Sequence, residues 1–238
     1  MHPKSVPIAN AAMPQPASAF RRFGRTAAAL LTAVLFGLPL LSASAAAHPH
    51  VFVTVTTTVE IENGTITGFD HVWVFDEFYS AMAIQGLDKN GDGVYDREEL
   101  AELADINMEG LKEFKYFTFP TLGTQEISIA DPNRGEYWLE HKDGILSLHF
   151  KARMEKPVLT EAQDFQFGIY DPSFFIAFEI AKQGGVKLGR GAPASCRTFV
   201  GEPKEDADAA RALGEAFFAQ QGGANIGFTF AQNIRVKC

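Results

Sequence analysis

The chain of 238 residues carries 21 basic and 29 acidic residues, which gives a net charge of −8 at pH 7. This acidic balance argues against nucleic acid or an anionic membrane as a partner, and it is compatible with the binding of cations. After the amino-terminal region, no stretch approaches the roughly 18 apolar residues of a spanning helix, so we expect no membrane insertion of the mature chain.

Residues 1–47 are predicted to be a cleaved export signal. A basic segment that ends at Arg25 precedes an apolar run over Ala27–Leu41, which is too short for a comfortable membrane span. Small residues follow this run and favour cleavage within about two residues of His48. Cleavage at residue 47 leaves 191 residues with 17 basic and 29 acidic side chains, a net charge of −12. We expect residues 48–238 to form a single exported domain.

The first predicted elements are two strands on either side of Asn63-Gly64, a dipeptide typical of two-residue hairpin turns. If these two residues form the turn, His50 faces Glu77 and Thr56 faces His71 across the ribbon. The side chains of both pairs would then lie on the same face of the hairpin.

Helical spacing follows the hairpin, over residues 76–85 and again from about 96 to 113, with a polar glycine-rich loop between them. Short strands then resume. Residues 173–181 are apolar and ambiguous between strand and helix. A further helix is predicted at 205–221, before a closing strand at 226–238.

The loop between the first two helices has the pattern of a calcium-binding EF-hand. Its sequence, DKNGDGVYDREE at 88–99, places a glycine at position 6 and oxygen donors at positions 1, 3, 5, 7, 9 and 12. The predicted calcium ligands are Asp88, Asn90, Asp92, the carbonyl of Val94, Asp96 and Glu99. A plain Asp/Gly turn is the alternative, and Tyr95 stands where the loop usually has an aliphatic residue. The expected fold is α+β, a β-rich, sandwich-like domain with an EF-hand-like helix–loop–helix inserted at about residues 76–114.

Two histidines flank a proline at the predicted mature amino terminus. His48 and His50, together with the free α-amine, would supply nitrogen donors to a metal ion, and Asp76 and Glu77 would supply oxygens. Such a donor set suits zinc, nickel, cobalt or copper. His71 is a further candidate ligand. The alternative is that the His-Pro-His segment is a polar lead-in to the first strand.

Both cysteines, Cys196 and Cys238, lie in the exported part of the chain, where an oxidising compartment favours a disulfide between them. A metal thiolate pair is the alternative. The sequence contains neither a G-x-S-x-G nor an H-E-x-x-H motif, so we do not expect an enzyme. A copper-dependent oxidative enzyme that uses an amino-terminal histidine is the competing interpretation.

Several segments in a fixed order resemble the DUF1007 family, among them AHPHVFV, WVFDEFYSA, GLDKNGDGVYDREEL and YDPSFFIAFE. This bacterial family of unknown function is described as the periplasmic component of an uncharacterised ABC-type transport system. The resemblance implies a periplasmic metal-binding accessory protein, with an inner-membrane metal permease as its partner. Carried over residue by residue, the family's Y-D-P motif adds Asp171 to the candidate metal ligands.

The leading functional hypothesis is therefore a non-enzymatic, periplasmic accessory protein for the transport of a divalent transition metal. Calcium would have a structural role, and zinc is the expected transition metal, with nickel or cobalt as alternatives. The competing hypothesis is a calcium-stabilised recognition module outside the cytoplasm, whose histidines have no role in metal binding.

Overall fold

Two β-sheets carry most of the chain in the computed structural model, which describes residues 49–204 and 225–238. The predicted export signal, His48 and the predicted helix at 205–221 lie outside these described residues. The strands are β1 (Val51–Glu62), β2 (Thr65–Phe75), β3 (Thr118–Leu122), β4 (Gln125–Glu126), β5 (Tyr137–Lys142), β6 (Ile145–Leu159), β7 (Phe165–Ile169), β8 (Ile176–Ile180), β9 (Val186–Leu188), β10 (Arg197–Val200) and β11 (Asn233–Lys237). The helices are α1 (Glu77–Ala83), α2 (Ala101–Lys112) and α3 (Gly227–Phe230), with a single 3₁₀ turn at Lys115–Phe117.

The first sheet has the strand order β5-β6-β2-β1-β8, with β9 also paired to β1, and the second has the order β10-β11-β7-β3-β4. Neighbouring strands are antiparallel except that β1 runs parallel to both β8 and β9. The two sheets share one hydrophobic core, in which the rings of Phe69 and Phe167 lie 4.5 Å apart between centroids. Alternate residues of β1 point into this core, as expected for a strand with one buried face. The predicted β-rich α+β class is confirmed.

The predicted hairpin turn is confirmed, but the predicted register holds only near that turn. Glu62 pairs with Thr65 as expected, whereas a β-bulge beside Glu60 shifts every later pair by one residue. His71 therefore faces Thr57 and not Thr56. A shift of one residue exchanges the two faces of a strand, so His71 and Thr57 point into the core and are fully buried.

The predicted pairing of His50 with Glu77 is also wrong. Phe75 is the last residue of β2 and pairs with Val53. Glu77 is instead the first residue of α1, because the Asp76 side chain accepts a hydrogen bond from the Tyr79 amide and caps the helix. The paired part of the hairpin therefore ends at Val53 and Phe75, not at His50 and Glu77.

The two helices predicted on either side of the loop at 88–99 exist, and each is shorter than its predicted range. The Ser80 hydroxyl in α1 donates to the carbonyl of Asp76 and accepts from the Leu146 amide, which ties α1 to β6. Helix α2 buries Ala104 and Met108 against the core. In the part of the chain that the structure describes, no helix is long and apolar enough to cross a membrane.

The carboxyl-terminal region differs from its prediction in one place. The ambiguous segment at 173–181 contains a strand, β8. The predicted closing strand begins only at Asn233, since residues 227–230 form the short helix α3. Gly227 permits this because its amide donates to Pro172 at 3.0 Å, and a Cβ there would lie 1.7 Å from the Asp171 carbonyl. The predicted disulfide between Cys196 and Cys238 is confirmed.

Gly110 in α2 has no evident structural requirement, because a Cβ at this position would have no heavy atom within 4 Å. We expect Gly110→Ala to raise the free energy of unfolding by about 0.5–1 kcal/mol, since alanine loses less backbone entropy in a helix. Urea denaturation measures this change. Gly227→Ala is the matched control and should destabilise the protein through its contact with Asp171. A loss of stability in Gly110→Ala would contradict the assignment of open space.

Candidate metal-binding sites

The predicted calcium loop lies between α1 and α2, and its first aspartate fixes its sharp turn. One carboxylate oxygen of Asp88 accepts from the Gly91 amide at 2.7 Å, and the other accepts from the Gly93 amide at 3.0 Å. Both glycines have a positive φ, 75° at Gly91 and 79° at Gly93. This left-handed conformation favours glycine, so the two glycines and Asp88 define the loop together.

Glu99 connects the two ends of the same loop. Its Oε1 accepts from the Lys89 amide at 2.8 Å, and its Oε2 accepts from the Asp96 amide at 3.3 Å. The Glu99 residue is only 7% exposed, although most of the loop is exposed. Asp96 Oδ1 in turn accepts from the Glu99 amide at 2.9 Å and orders the turn that leads into α2. The carboxylate at position 12 is therefore directed at the interior of the loop.

The remaining predicted side-chain ligands also turn toward the loop backbone. Asn90 Oδ1 accepts from the Asp92 amide at 2.8 Å, and Asp92 Oδ1 accepts from the Val94 amide at 2.7 Å. These successive Asx-type bonds curl residues 88–94 around their own side-chain oxygens. The Val94 side chain points outward and is 61% exposed.

Two loop residues without a predicted ligand role hold the loop against β5. The Tyr95 ring meets the His141 ring at 4.8 Å, edge to face, and the Arg97 guanidinium lies 4.5 Å above the Trp138 ring. Tyr95 is the residue that departs from the usual aliphatic position 8. Its departure has a structural reason, because the aromatic ring reaches His141 on the neighbouring strand.

Four of the candidate transition-metal ligands lie on chain segments that meet at one end of the first sheet, although their side chains are not grouped as a metal site. We call this end the β1–β8 corner; it comprises His50, Asp76, Glu77, Asp171 and Phe175. The His50 amide donates to the Phe175 carbonyl at 2.9 Å, and the two rings stack with centroids 4.6 Å apart. Asp76 Oδ2 accepts from the Phe52 amide at 2.9 Å, two residues beyond His50. Glu77 is exposed at the start of α1.

Asp171 enters this corner through a turn that its own carboxylate holds together. Its Oδ1 accepts from the Ser173 amide and hydroxyl, both at 2.8 Å, and its Oδ2 accepts from the Ile176 amide at 3.0 Å. Ile176 begins β8 and pairs with Val51, the residue after His50. Parallel pairing thus brings Asp171 near His50 across more than a hundred residues of sequence, and Asp171 is only 4% exposed.

His71 lies elsewhere, in the aromatic interior of the sheets. Its ring is 5.0 Å from that of Phe150 and 5.7 Å from that of Phe69, measured between centroids. The Nε2 atom is 3.3 Å from the Thr118 hydroxyl, and the buried Nδ1 atom has no hydrogen-bond partner among the described residues. Burial lowers the pKa of His71 from 6.5 to about 3, so the ring is neutral near pH 7.

Within residues 49–204 and 225–238, no three His, Cys, Asp or Glu side chains are grouped closely enough to hold a metal ion. Glu99, Asp76 and Asp171 direct their oxygens to backbone amides, and His71 is separate from His50. His48 lies outside the described residues. Cys196 and Cys238 are joined in a disulfide, so they do not act as a thiolate pair.

We expect the free energy of unfolding to fall by about 2 kcal/mol between pH 7 and pH 5 through His71 alone. The unfolded chain takes up a proton near the ordinary histidine pKa of 6.5, while the folded chain resists protonation down to about pH 3. His71→Gln should lose this part of the pH dependence in urea titrations. The interval from pH 8 to 7 is the internal control, because neither state gains much charge there. Equal pH dependence in both proteins would contradict the buried neutral ring.

Comparison with known proteins adds relatives but no established activity. An uncharacterized protein of Haemophilus influenzae (strain ATCC 51907 / DSM 11121 / KW20 / Rd) is 26% identical over 180 residues, 75% of this chain and 84% of the relative. An "Uncharacterized 15.5 kDa protein in trpE 3'region" of Spirochaeta aurantia is 29% identical over 101 residues, 42% of this chain and 70% of the relative. Neither name states a ligand. A family match over residues 32–238 confirms the resemblance found in the motifs, and the chain belongs to the family described as "Protein of unknown function (DUF1007)".

Proposed function

We propose that this chain is a periplasmic, non-enzymatic metal-binding protein that serves the transport of a divalent transition metal. Calcium at residues 88–99 stabilises its fold, and the amino-terminal histidines bind zinc, or nickel or cobalt. An inner-membrane metal permease is its partner. The observation that carries the proposal is that His50, next to the expected mature amino terminus, precedes β1 at the end of the sheet where Asp76 and Asp171 accept hydrogen bonds from the amides of Phe52 and Ile176.

The donor chemistry of the loop fits calcium. Four carboxylates, those of Asp88, Asp92, Asp96 and Glu99, lie within the twelve residues of the loop. Hard oxygen donors of this kind are the ligands calcium prefers. Binding would exchange the hydrogen bonds of Glu99 to the backbone for bonds to the ion. Helices α1 and α2 then complete an EF-hand-like insertion.

The chemistry of the β1–β8 corner fits a softer ion. Imidazole nitrogens of His48 and His50, with the α-amine of the processed chain, would be the principal donors, and these favour zinc, nickel or copper over calcium. Stacking on Phe175 holds the His50 ring at the start of β1. Asp76 and Asp171 hold the two strands in place through backbone hydrogen bonds, and Glu77, the residue after Asp76, is exposed.

Export to the periplasm is supported by the chemistry of the cysteines as well as by the predicted signal. Disulfides persist in oxidising compartments and are rare in the cytoplasm. The bond between Cys196 and Cys238 joins the start of β10 to the end of the chain, beside β11. It therefore links Cys238, which follows β11, to the start of β10, the edge strand of the second sheet.

We expect calcium at ten times its dissociation constant to raise the free energy of unfolding by about 1.4 kcal/mol, by mass action on the folded state. Glu99→Gln should abolish most of this rise, because it weakens the carboxylate that spans the loop. Urea denaturation with calcium or with a chelator measures the effect. Glu98→Gln, an exposed neighbour with no predicted ligand role, is the matched control. Equal calcium stabilisation of both variants would contradict the proposed site.

We expect the processed protein to bind zinc or nickel with an affinity that falls at least tenfold in His50→Ala and further in the double variant with His48→Ala. Isothermal titration measures the affinity. A protein with one extra residue before His48 keeps both rings but moves the α-amine, so it separates their contributions. His149→Gln on β6 is the control for loss of a histidine elsewhere. Unchanged affinity in the double variant would refute the transition-metal role while leaving the calcium site untouched.

A further inference from the structure

An apolar cleft of about 420 Å³ lies between the inner face of the first sheet and helix α2. Its walls are mainly aromatic and aliphatic, and its polar groups are those of Tyr79, Asn107, Asp171 and Ser173. The side chains that matter for the argument are Trp73, Phe178, Ile106, Leu111, Phe117 and Phe175. Clefts of this size and lining are the usual form of a binding site.

Large apolar side chains at the mouth of the cleft are exposed. Ile106 is 61% exposed, Phe114 50% and Phe175 45%. Scattered apolar residues are common on protein surfaces, but these three border one opening. A contiguous patch of this kind marks contact with another molecule.

The wall of the cleft that α2 forms lacks a side chain at Gly110. No heavy atom lies within 4 Å of where its Cβ would be, although glycine is unfavourable inside a helix. A shallow groove on the outer side of α2 shares Gly110 and Ile106 with the cleft, and is lined further by Glu109, Lys112 and Glu113. The open surface therefore extends from the cleft across the helix, beyond the volume of a small compound.

Backbone strain is concentrated beside the same cleft. Apart from the hairpin turn residues at 63 and 143, the non-glycine residues of the described chain with positive φ are those of Lys115–Phe117 and Phe174. Phe117 lines the cleft, and Phe174 lies between Ser173 and Phe175, which also line it. A left-handed conformation is unfavourable for bulky residues, and such strain concentrates at functional sites.

The rim of the cleft and groove has an excess of negative charge. Lys112 and Lys115 form ion pairs with Asp131 and Glu126 respectively, so their charges are already balanced. Neither Glu109 nor Glu113 forms an ion pair within the described residues. A basic partner would therefore meet the carboxylates of Glu109 and Glu113, neither of which is held in an ion pair, beside the apolar opening.

We propose that the cleft and the adjoining groove bind a segment of a partner protein with an aromatic or aliphatic anchor side chain flanked by basic residues. The anchor enters the cleft at its exposed mouth, beside Ile106, Phe114 and Phe175. The basic flank crosses α2 over Gly110 and meets Glu109 and Glu113. A buried apolar anchor with a charged rim is the usual division of roles in protein interfaces. This interaction goes beyond metal binding and does not depend on it.

The test uses the processed protein and a labelled amphipathic peptide of Leu, Phe and Lys, with a twin in which every Lys is Glu. Fluorescence anisotropy should show binding of the Lys peptide that weakens with added salt, and at least tenfold weaker binding of the Glu twin. Gly110→Leu should lower the affinity at least tenfold by filling the opening. Ala101→Leu, which adds the same side chain to α2 outside the cleft, should leave the affinity unchanged.

A second pair of variants tests the charge. Glu109→Gln with Glu113→Gln should weaken binding severalfold and reduce its salt dependence, whereas Glu98→Gln with Glu102→Gln should not. Circular dichroism checks the fold of each variant. If Gly110→Leu does not fold, Ile106→Ser at the exposed mouth replaces it, with the same loss expected.

Three results would overturn the proposal. The first is equal affinity for the two peptides, and the second is unchanged affinity in the folded variants of the opening. The third concerns a neutral naphthalene probe. If this probe binds, if Gly110→Leu abolishes its binding and if the Lys peptide does not displace it, the cleft is a small-molecule pocket. Zinc and calcium binding are measured separately, by titration with each ion in the absence of peptide, so failure here is distinguishable from failure of the metal sites.

Discussion

The parallel pairing of β1 with β8 is the constraint on which the functional regions depend. It joins the first strand, β1, to a strand more than a hundred residues later, and Asp171 secures the turn that precedes β8. Phe175, at the junction, stacks on His50 on one side and lines the apolar cleft on the other. A single strand pairing therefore places the candidate transition-metal ligands and the cleft beside each other.

Local signals in the sequence were sufficient for the elements formed by neighbouring residues. Asn63-Gly64 marked the hairpin turn, and the spacing of 88–99 marked a loop between helices, because each depends on a few adjacent residues. The bulge beside Glu60 had a local signal that the predicted register left out, the glycine inside the strand at Gly68, and the bulge reversed the predicted face of His71. The pairing of β1 with β8 had no local signal, since parallel partners are joined by long connections. Asp171 reached the candidate set through family resemblance alone.

The acidic residues predicted as metal ligands accept hydrogen bonds from the backbone. A pattern of ligand types in the sequence does not distinguish this role from metal binding. Asp76 caps α1 and holds the amide of Phe52, and Asp171 holds three donors in its own turn. A carboxylate that is favourable beside a metal is equally favourable beside unpaired backbone amides. The same holds for Glu99, which bonds to both limbs of its loop. Sequence alone shows that a carboxylate is present, whereas the structure shows which hydrogen bonds its oxygens already accept.

The contact between Arg97 and Trp138 has an experimental consequence. The chain has two tryptophans, and Trp73 is enclosed in the core while Trp138 lies on β5 beneath the Arg97 guanidinium of the loop at residues 88–99. Indole emission responds to a nearby charge, so we expect a rearrangement of this loop to change the emission of Trp138. That emission would then report on the order of the loop without an attached dye or an engineered residue.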